Sequence, residues 1–231
     1  MLSPTQPWII SNQQAAVSLE ELTLRYDHEA AAWQTTIERL RQPEAYRQLF
    51  ADVHTQNLLP HTSHQPAVLD CGIGTGALSE ALTPYMPEQT TYSGIDISAG
   101  MLLEARRRLQ TAGVSFTLSQ QSATSLQHTS ASFDIAMSAH MLEHLPNPQE
   151  GLNEMLRVLK PGGLLLLIMT RRTPFGAWIR RKWGVHQLRP QQLAGWLGEA
   201  GLRQVRPFGV GHWWCVNHWL SVACVGVKNG E

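Results

Sequence analysis

The chain has 231 residues, 18 of them basic and 18 acidic, so its formal net charge is zero, and charged residues make up 16% of the sequence. That balance excludes the strongly basic footprint of a nucleic-acid-binding protein, and the length suits one large domain, or one domain with an appendage, at roughly 100–200 residues per domain. The longest strictly apolar run in the middle of the chain, Leu164–Met169, is far short of the roughly 20 residues that span a bilayer.

The first residues, "MLSPTQPWII", have neither a basic start nor a sustained apolar stretch, so no signal peptide is expected and the chain reads as cytoplasmic. Cys71, Cys215 and Cys224 are odd in number and sit in apolar surroundings, which reads as buried thiols of a cytosolic protein. Residues 19–59 carry a helical period: Leu22, Tyr26, Ala30, Trp33, Ile37 and Leu40 recur at three- and four-residue spacing. Pro43 breaks that helix and a second follows from Glu44 to Leu59. "PHTSHQP" (60–66) is then a polar, proline-bounded linker. Residues 1–65 are thus expected to form an N-terminal helical cap and 66–231 the main domain.

Beyond the linker, strands are expected at 67–71, 91–97, 114–118, 133–138 and 164–169, alternating with helices near 76–83, 98–110 and 148–159. Strands alternating with helices of about a dozen residues predict an α/β fold with a parallel sheet and right-handed crossovers. A short helix over 190–202, closed by Gly201, precedes two last strands at 202–208 and 218–227.

"AVLDCGIGTGAL" (67–78) reads as a buried strand, a glycine turn and a helix, with G-x-G-x-x-A spacing from Gly72 to Ala77. Dinucleotide-binding turns share that spacing, so the neighbours must say which ligand the turn faces. Asp70 stands two residues before Gly72, where a carboxylate repels a pyrophosphate and attracts an ammonium or sulfonium. Asp96 ends the next strand, "YSGIDIS", where a carboxylate can accept both hydroxyls of a ribose. "LKPGG" (159–163) is a sharp turn into the fifth strand.

With these features the chain resembles a class I S-adenosylmethionine-dependent methyltransferase of the small-molecule type. "LDCGIGTG" is similar to the family's first motif, "GIDIS" to its acidic second strand, "SFDIAMSAHMLEHL" to its fourth strand and following loop, and "LKPGG" to the turn before strand five. The likeness covers about residues 67–170. It implies a Rossmann-like, seven-stranded, mostly parallel sheet with an antiparallel last strand and helices on both faces, and S-adenosylmethionine as cofactor. The competing readings are an NAD-dependent oxidoreductase, through the shared glycine spacing, and a zinc hydrolase.

By that resemblance the backbone at Gly72, Gly74 and Gly76 approaches the methionine part of the cofactor, with Asp70 near its ammonium end. Asp96 holds the ribose, and Ile97 and Met101 either flank the adenine or are plain core. The family usually has an Asp–Ala pair at the adenine edge. This chain instead reads "QQSATSL", with Ser122 and Ala123, where a hydroxyl lacks the charge-assisted strength of a carboxylate and Gln121 can contribute. Ser138, near the end of the fourth strand, completes the expected cofactor set.

"HMLEH" (140–144) matches a zinc-protease spacing, H-x-x-E-H, through His140, Glu143 and His144. Pro146 leaves barely one helical turn, the resemblance already explains "LEHL", and no third ligand suggests itself, so no metal is expected. His140 follows the fourth strand, where ligands sit in open α/β sheets. It is either a general base that takes a proton from the acceptor or a residue that only packs locally. His144 reads as structural.

The acceptor side is expected from the N-terminal helices, through Tyr26 and Trp33, and from "TRRTPFGAWIRRKWGVHQLRP" (170–190), through Trp178. That Trp/Arg segment reads either as a pocket wall or membrane-contacting stretch, or as a short amphipathic helix with inward tryptophans, the reading favoured here. The acceptor is expected to be a small molecule, aromatic or lipidic, and not a nucleic acid: the fourth strand ends in Ser138–Ala139–His140–Met141 instead of the Asn/Asp-Pro-Pro-aromatic stretch of enzymes that methylate nucleic-acid amines.

Overall fold

The structure is a computed structural model that describes residues 19–60, 65–211 and 216–230. Its centre is a seven-stranded sheet in the order β3-β2-β1-β4-β5-β7-β6. The strands are β1 (Ala67–Cys71), β2 (Thr91–Asp96), β3 (Thr117–Gln120), β4 (Phe133–Ala139), β5 (Leu159–Thr170), β6 (Leu202–Gly209) and β7 (Ser221–Lys228). β1 to β5 pair in parallel, and β7 runs antiparallel to both β5 and β6. The expected sheet, with its antiparallel last strand, is the one observed.

The helices are α1 (Leu19–Arg39), α2 (Gln42–Thr55), α3 (Ala77–Leu82), α4 (Ala99–Thr111), α5 (Pro148–Val158), α6 (Pro174–Trp183), α7 (Pro190–Glu199) and α8 (Val216–Leu220). Strand alternation divides the core in two. Leu69, Ala136, Leu165 and Cys224 face Leu152 and Met155 of α5 and Leu193 and Trp196 of α7. Val68, Ile135, Leu166 and Val225 face Leu49, Phe50 and Val53 of α2 and Leu78 and Leu82 of α3. α2 therefore shares the core of the sheet.

α1 lies against α4. Asp27 Oδ1 accepts hydrogen bonds from Ser98 Oγ (2.6 Å) and Gly100 N (3.0 Å) at the start of α4, and a Cβ on Gly100 would stand 3.0 Å from Asp27 O. Ser98 caps α4 by accepting from Met101 N.

Several boundaries differ from expectation, among them those of α2, which runs Gln42–Thr55 where Glu44–Leu59 was expected. β3 starts at Thr117, not at 114, because Val114 N closes onto Leu109 O as the end of the α4 turn and the ladder with β2 begins at Thr117 opposite Ser93. Residues 216–220 form α8 before β7 starts at Ser221. β5 extends back to Leu159, whose partner is Phe133, with a register shift before Ile135 and a left-handed Gly162 (φ 76°). Cys71 and Cys224 are buried free thiols, whereas Cys215 lies outside the described residues.

Candidate functional site

A cavity of about 500 Å³ opens at the sheet edge where β1, β2, β4 and β5 end and the antiparallel β7 begins. One side is built by the turn after β1. Gly72, Gly74 and Gly76 all have positive φ (71°, 54° and 81°), a conformation that costs a side-chain-bearing residue about 1–2 kcal/mol. Gly72 and Gly74 line the cavity, and a Cβ built on Gly74 has only Gly72 O within 4.0 Å. A Cβ on Gly72 would lie 2.5 Å from Met141 Cβ and Cγ, so this glycine lets the first turn nest against the loop after β4.

Asp96, Ile97, Met101, Gln121, Ser122 and Ala123 line the same side. Asp96 Oδ2 accepts from Gly74 N and Oδ1 from Ser98 N, each at 2.9 Å, which aims the carboxylate along the turn. Each oxygen keeps a further lone pair for a ligand hydroxyl. Burial raises the Asp96 carboxyl from 3.8 to about 6, against the bonds from Ser98 and Gly74. Gln121 is committed to its own loop, donating to Ser119 Oγ (2.6 Å) and accepting from Gln127 N (3.0 Å), and Ser122 shares a hydrogen bond with Thr124.

Asp70, Gly76 and Ser138 do not line the cavity. Asp70 alternates onto the α2/α3 face of β1, where Oδ2 accepts from Ser79 Oγ at 2.5 Å and Oδ1 is buried with no hydrogen-bond partner among the described residues. Burial pushes this carboxyl up from 3.8 to about 7. Gly76 caps α3 and packs on Ala105 and Leu109 of α4. Ser138 Oγ is likewise buried and without a partner among the described residues.

The other side of the cavity is contributed by α1. Leu22, Tyr26, Glu29, Trp33 and Thr36 project from one helical face, and the Tyr26 and Trp33 rings meet edge to face with centroids 6.3 Å apart. Tyr26 Oη bonds to His144 Nε2 at 2.9 Å. Burial holds His144 down, from 6.5 to about 4, so its ring is neutral at physiological pH. The side chains of Trp178 and Trp183 lie outside those described, as do Trp213 and Trp214 altogether. Trp196 is buried, with Nε1 donating to Gln149 Oε1, and Trp219 is exposed.

His140 stands between the two sides. Its backbone is left-handed (φ 57°), uncommon for a residue with a side chain, and is held by its N–H donating to Ile168 O at 2.8 Å. Its Nδ1 lies 3.3 Å from Glu143 Oε1 and 3.4 Å from Thr170 Oγ1, and its Nε2 lies 3.1 Å from Ser221 Oγ. Glu143 is 2% exposed, yet its carboxyl is held below the usual range. Burial works against this, and His140 and Thr170 outweigh it: Thr170 donates to Glu143 through both its backbone N–H and, at 2.6 Å, its hydroxyl. Sequence reasoning missed Glu143 in this role, and it missed Thr170, Ser221 and Asp27 entirely, because nothing local marks them.

"HMLEH" forms a 3₁₀ turn over Leu142–His144, and its two imidazoles turn to separate partners, Ser221 and Tyr26. No group of three or more His, Cys, Asp or Glu side chains that could hold a metal occurs among the described residues. No described helix is long and apolar enough to cross a membrane.

The sheet order and the glycine turn at the strand ends are those of the Rossmann-like class I methyltransferase fold. Residues 68–163 match the model of a methyltransferase domain family. The chain is 33% identical over 150 residues to the ubiquinone biosynthesis O-methyltransferase of Pseudomonas fluorescens (strain SBW25), covering 58% of this chain and 63% of that one. With the enzyme of the same name from Xanthomonas axonopodis pv. citri it shares 35% over 151 residues, covering 59% and 62%. The matches thus span under two thirds of those relatives' length. Among solved structures, a possible histamine N-methyltransferase from Thermotoga maritima superposes with a TM-score of 0.65 at 18% identity, covering 88% of this chain and 98% of that one. The magnesium protoporphyrin IX methyltransferase from Synechocystis PCC 6803, with bound S-adenosylhomocysteine, gives 0.61 at 18%, covering 95% and 90%. At that identity the two share the fold.

Proposed function

We propose that the protein transfers a methyl group from S-adenosylmethionine to a hydroxyl oxygen of a neutral, largely apolar small molecule, with His140 as general base. The residues present fit the cofactor: Gly74 leaves open backbone on the cavity side, and Asp96 offers a carboxylate fixed by Gly74 N and Ser98 N. Gly72 and Gly74 would hold its methionine part, Asp96 its ribose, and Ile97, Met101, Gln121, Ser122 and Ala123 its adenine. When bound, the cofactor supplies a methyl already activated on a sulfonium. The chain's own task is then alignment and proton removal.

The observation that carries this reading is His140 on the cavity wall, with an ionised Glu143 behind one ring nitrogen. A base is useful where the acceptor keeps its proton near neutral pH, as a phenolic hydroxyl with a pKa near 10 does. The charged side chains lining the cavity among the described residues are Glu29, Asp96 and Glu143, all acids, which disfavours an anionic acceptor. Tyr26, Trp33, Leu40, Val185 and Leu220 give the acceptor side an apolar wall. The two O-methyltransferases similar to this chain support oxygen as the methylated atom. In this reading α1 is the cap that meets the acceptor, whereas α2 belongs to the core of the sheet and the Trp178 side chain lies outside those described. Residues 66–231 form the S-adenosylmethionine-binding domain. A cytoplasmic setting accords with the buried free thiols of Cys71 and Cys224.

The test is transfer of label from methyl-labelled S-adenosylmethionine to a panel of alkylated phenols and catechols, matched amines and matched carboxylates. Turnover of the neutral hydroxyl compounds is expected. Turnover confined to amines or carboxylates, or none on the whole panel, would overturn the reading.

A further inference from the structure

Ser221 is the first residue of β7, and it reaches the site because β7 runs antiparallel to β5. The end of one strand and the start of the other then meet, and Thr170 and Ser221 are register partners. β4, β5 and β7 are consecutive in the sheet, so His140, Thr170 and Ser221 stand side by side along its edge, and all three line the cavity. Ser221 is 4% exposed, and its hydroxyl lies 3.1 Å from His140 Nε2.

The proton positions along this row follow from charge. Glu143 is ionised and accepts only, so the ring nitrogen beside it, Nδ1, carries the hydrogen. Thr170 spends its hydroxyl hydrogen on Glu143 Oε1, so it too can only accept from Nδ1. In the neutral ring that acts as base, Nε2 is therefore the bare nitrogen, and the hydrogen in the 3.1 Å contact belongs to Ser221. The basic lone pair of His140 is thus already covered by a hydroxyl whose own oxygen lone pairs remain to accept. An acceptor that reached Nε2 directly would have to break this contact, whereas one that donates to Ser221 Oγ completes the row.

We propose that Ser221 is a catalytic residue of the methyl transfer, relaying the acceptor's proton to His140. This rests on the reading of His140 as base for a hydroxyl acceptor. As the bond from the acceptor oxygen to the methyl carbon forms and the carbon–sulfur bond breaks, the acceptor O–H proton passes to Ser221 Oγ. The Ser221 proton passes to Nε2. The products are the methyl ether, the neutral thioether and a His140 imidazolium beside Glu143, and that proton leaves to solvent before the next turnover. Ser221 ends as it began, a neutral hydroxyl.

The test uses full-length wild type, Ser221→Ala, Ser221→Thr and His140→Ala with a 4-alkylcatechol as the probe acceptor. S-adenosylhomocysteine affinity and circular dichroism serve as the check that each variant is folded. Ser221→Ala should lower kcat about 10- to 100-fold at unchanged cofactor affinity, and Ser221→Thr should recover most of it. In mixtures of H₂O and D₂O the wild-type kcat should fall along a curve, for two protons in flight, and that of Ser221→Ala along a straight line. In ¹⁵N spectra of the S-adenosylhomocysteine complex, the His140 Nε2 resonance should shift on Ser221→Ala. If His140→Ala is impaired while Ser221→Ala keeps wild-type kcat and the same curve, the relay is wrong and the base stands. A rise in KM alone on Ser221→Ala would also overturn the relay. Wild-type kcat in His140→Ala, or no turnover of the catechol by wild type, would overturn the base, and the relay with it.

Discussion

Thr170 and Ser221 face each other across the β5–β7 ladder, and between them they engage both functional groups of the loop after β4. Thr170 fixes Glu143 through two hydrogen bonds, and Ser221 meets the Nε2 of His140. The antiparallel strand thereby supplies part of the site at an edge where a parallel strand would only have ended.

His140→Ala is expected to lower kcat on a phenolic acceptor by about 10²–10⁴-fold, the usual contribution of a general base, and to leave S-adenosylhomocysteine affinity unchanged. Glu143→Gln removes the charge that holds the ring's tautomer and should cost of order 10–100-fold. The loss in His140→Ala should shrink with a phenol acidic enough to be ionised at the assay pH. Steady-state kinetics on two phenols of different acidity, with calorimetry for the cofactor product, distinguish a base from a packing residue.

Asp96→Ala should weaken S-adenosylhomocysteine binding by about 1.5–3 kcal/mol, the range for hydrogen bonds to a charged group. Burial holds the Asp96 carboxyl at about 6 in the ligand-free protein, and the ribose hydroxyls need it ionised. Affinity should therefore fall as pH drops below about 6, up to tenfold per pH unit, and stay flat above 7. Titration calorimetry from pH 5 to 8 measures this, and Asp96→Asn should flatten the profile.

Asp70 ties the same turn to stability. Its carboxyl sits at about 7 in the fold against 3.8 ordinarily, so between those values the folded chain holds a proton that the unfolded chain has released. Stability from this group is present below pH 4 and is lost as pH rises through 7. His144 works in the opposite sense. Its fall from 6.5 to about 4 makes acidification through that window destabilising. Asp70→Asn isolates the first effect: its stability relative to wild type, read as Tm, should climb from pH 4 and level off above about 7, with a ceiling of about 4 kcal/mol in free energy. Thermal melts of both proteins across that range are the check, and a pH-independent difference would count against it.

Gly72 and Gly113 make a matched pair. Both are left-handed, at φ 71° and 70°, but a Cβ on Gly113 meets nothing within 4 Å whereas one on Gly72 meets Met141 at 2.5 Å. Gly113→Ala should cost about 1–2 kcal/mol for the backbone alone. Gly72→Ala should cost about 2–5 kcal/mol, because the clash adds overpacking, and it should weaken cofactor binding as the first turn and the β4 loop separate. Chemical denaturation and calorimetry on both variants compare the two.

The sequence by itself determined what is written in local pattern. The helical period from Leu22 to Leu40, the buried β1 run into a glycine turn, Asp96 at a strand end and the order of the motifs are set by residues a few positions apart. They sufficed for the fold class and for a helix with Tyr26 and Trp33 on one face, although Ala30 and Ile37 of the same period do not line the cavity. Tertiary structure alone decided which distant side chains meet. Tyr26 reaches His144 across 118 positions, Ser221 reaches His140 across 81, and Asp27 reaches Ser98 across 71. It also decided that Asp70, on the α2/α3 face of β1, and Ser138, on the opposite face of β4, both lie outside the cavity lining. The physical reason is that a strand's period of two fixes only that neighbouring side chains point opposite ways. Which side becomes cavity and which becomes core depends on the helices that pack there, and those contacts leave no trace in the neighbouring sequence.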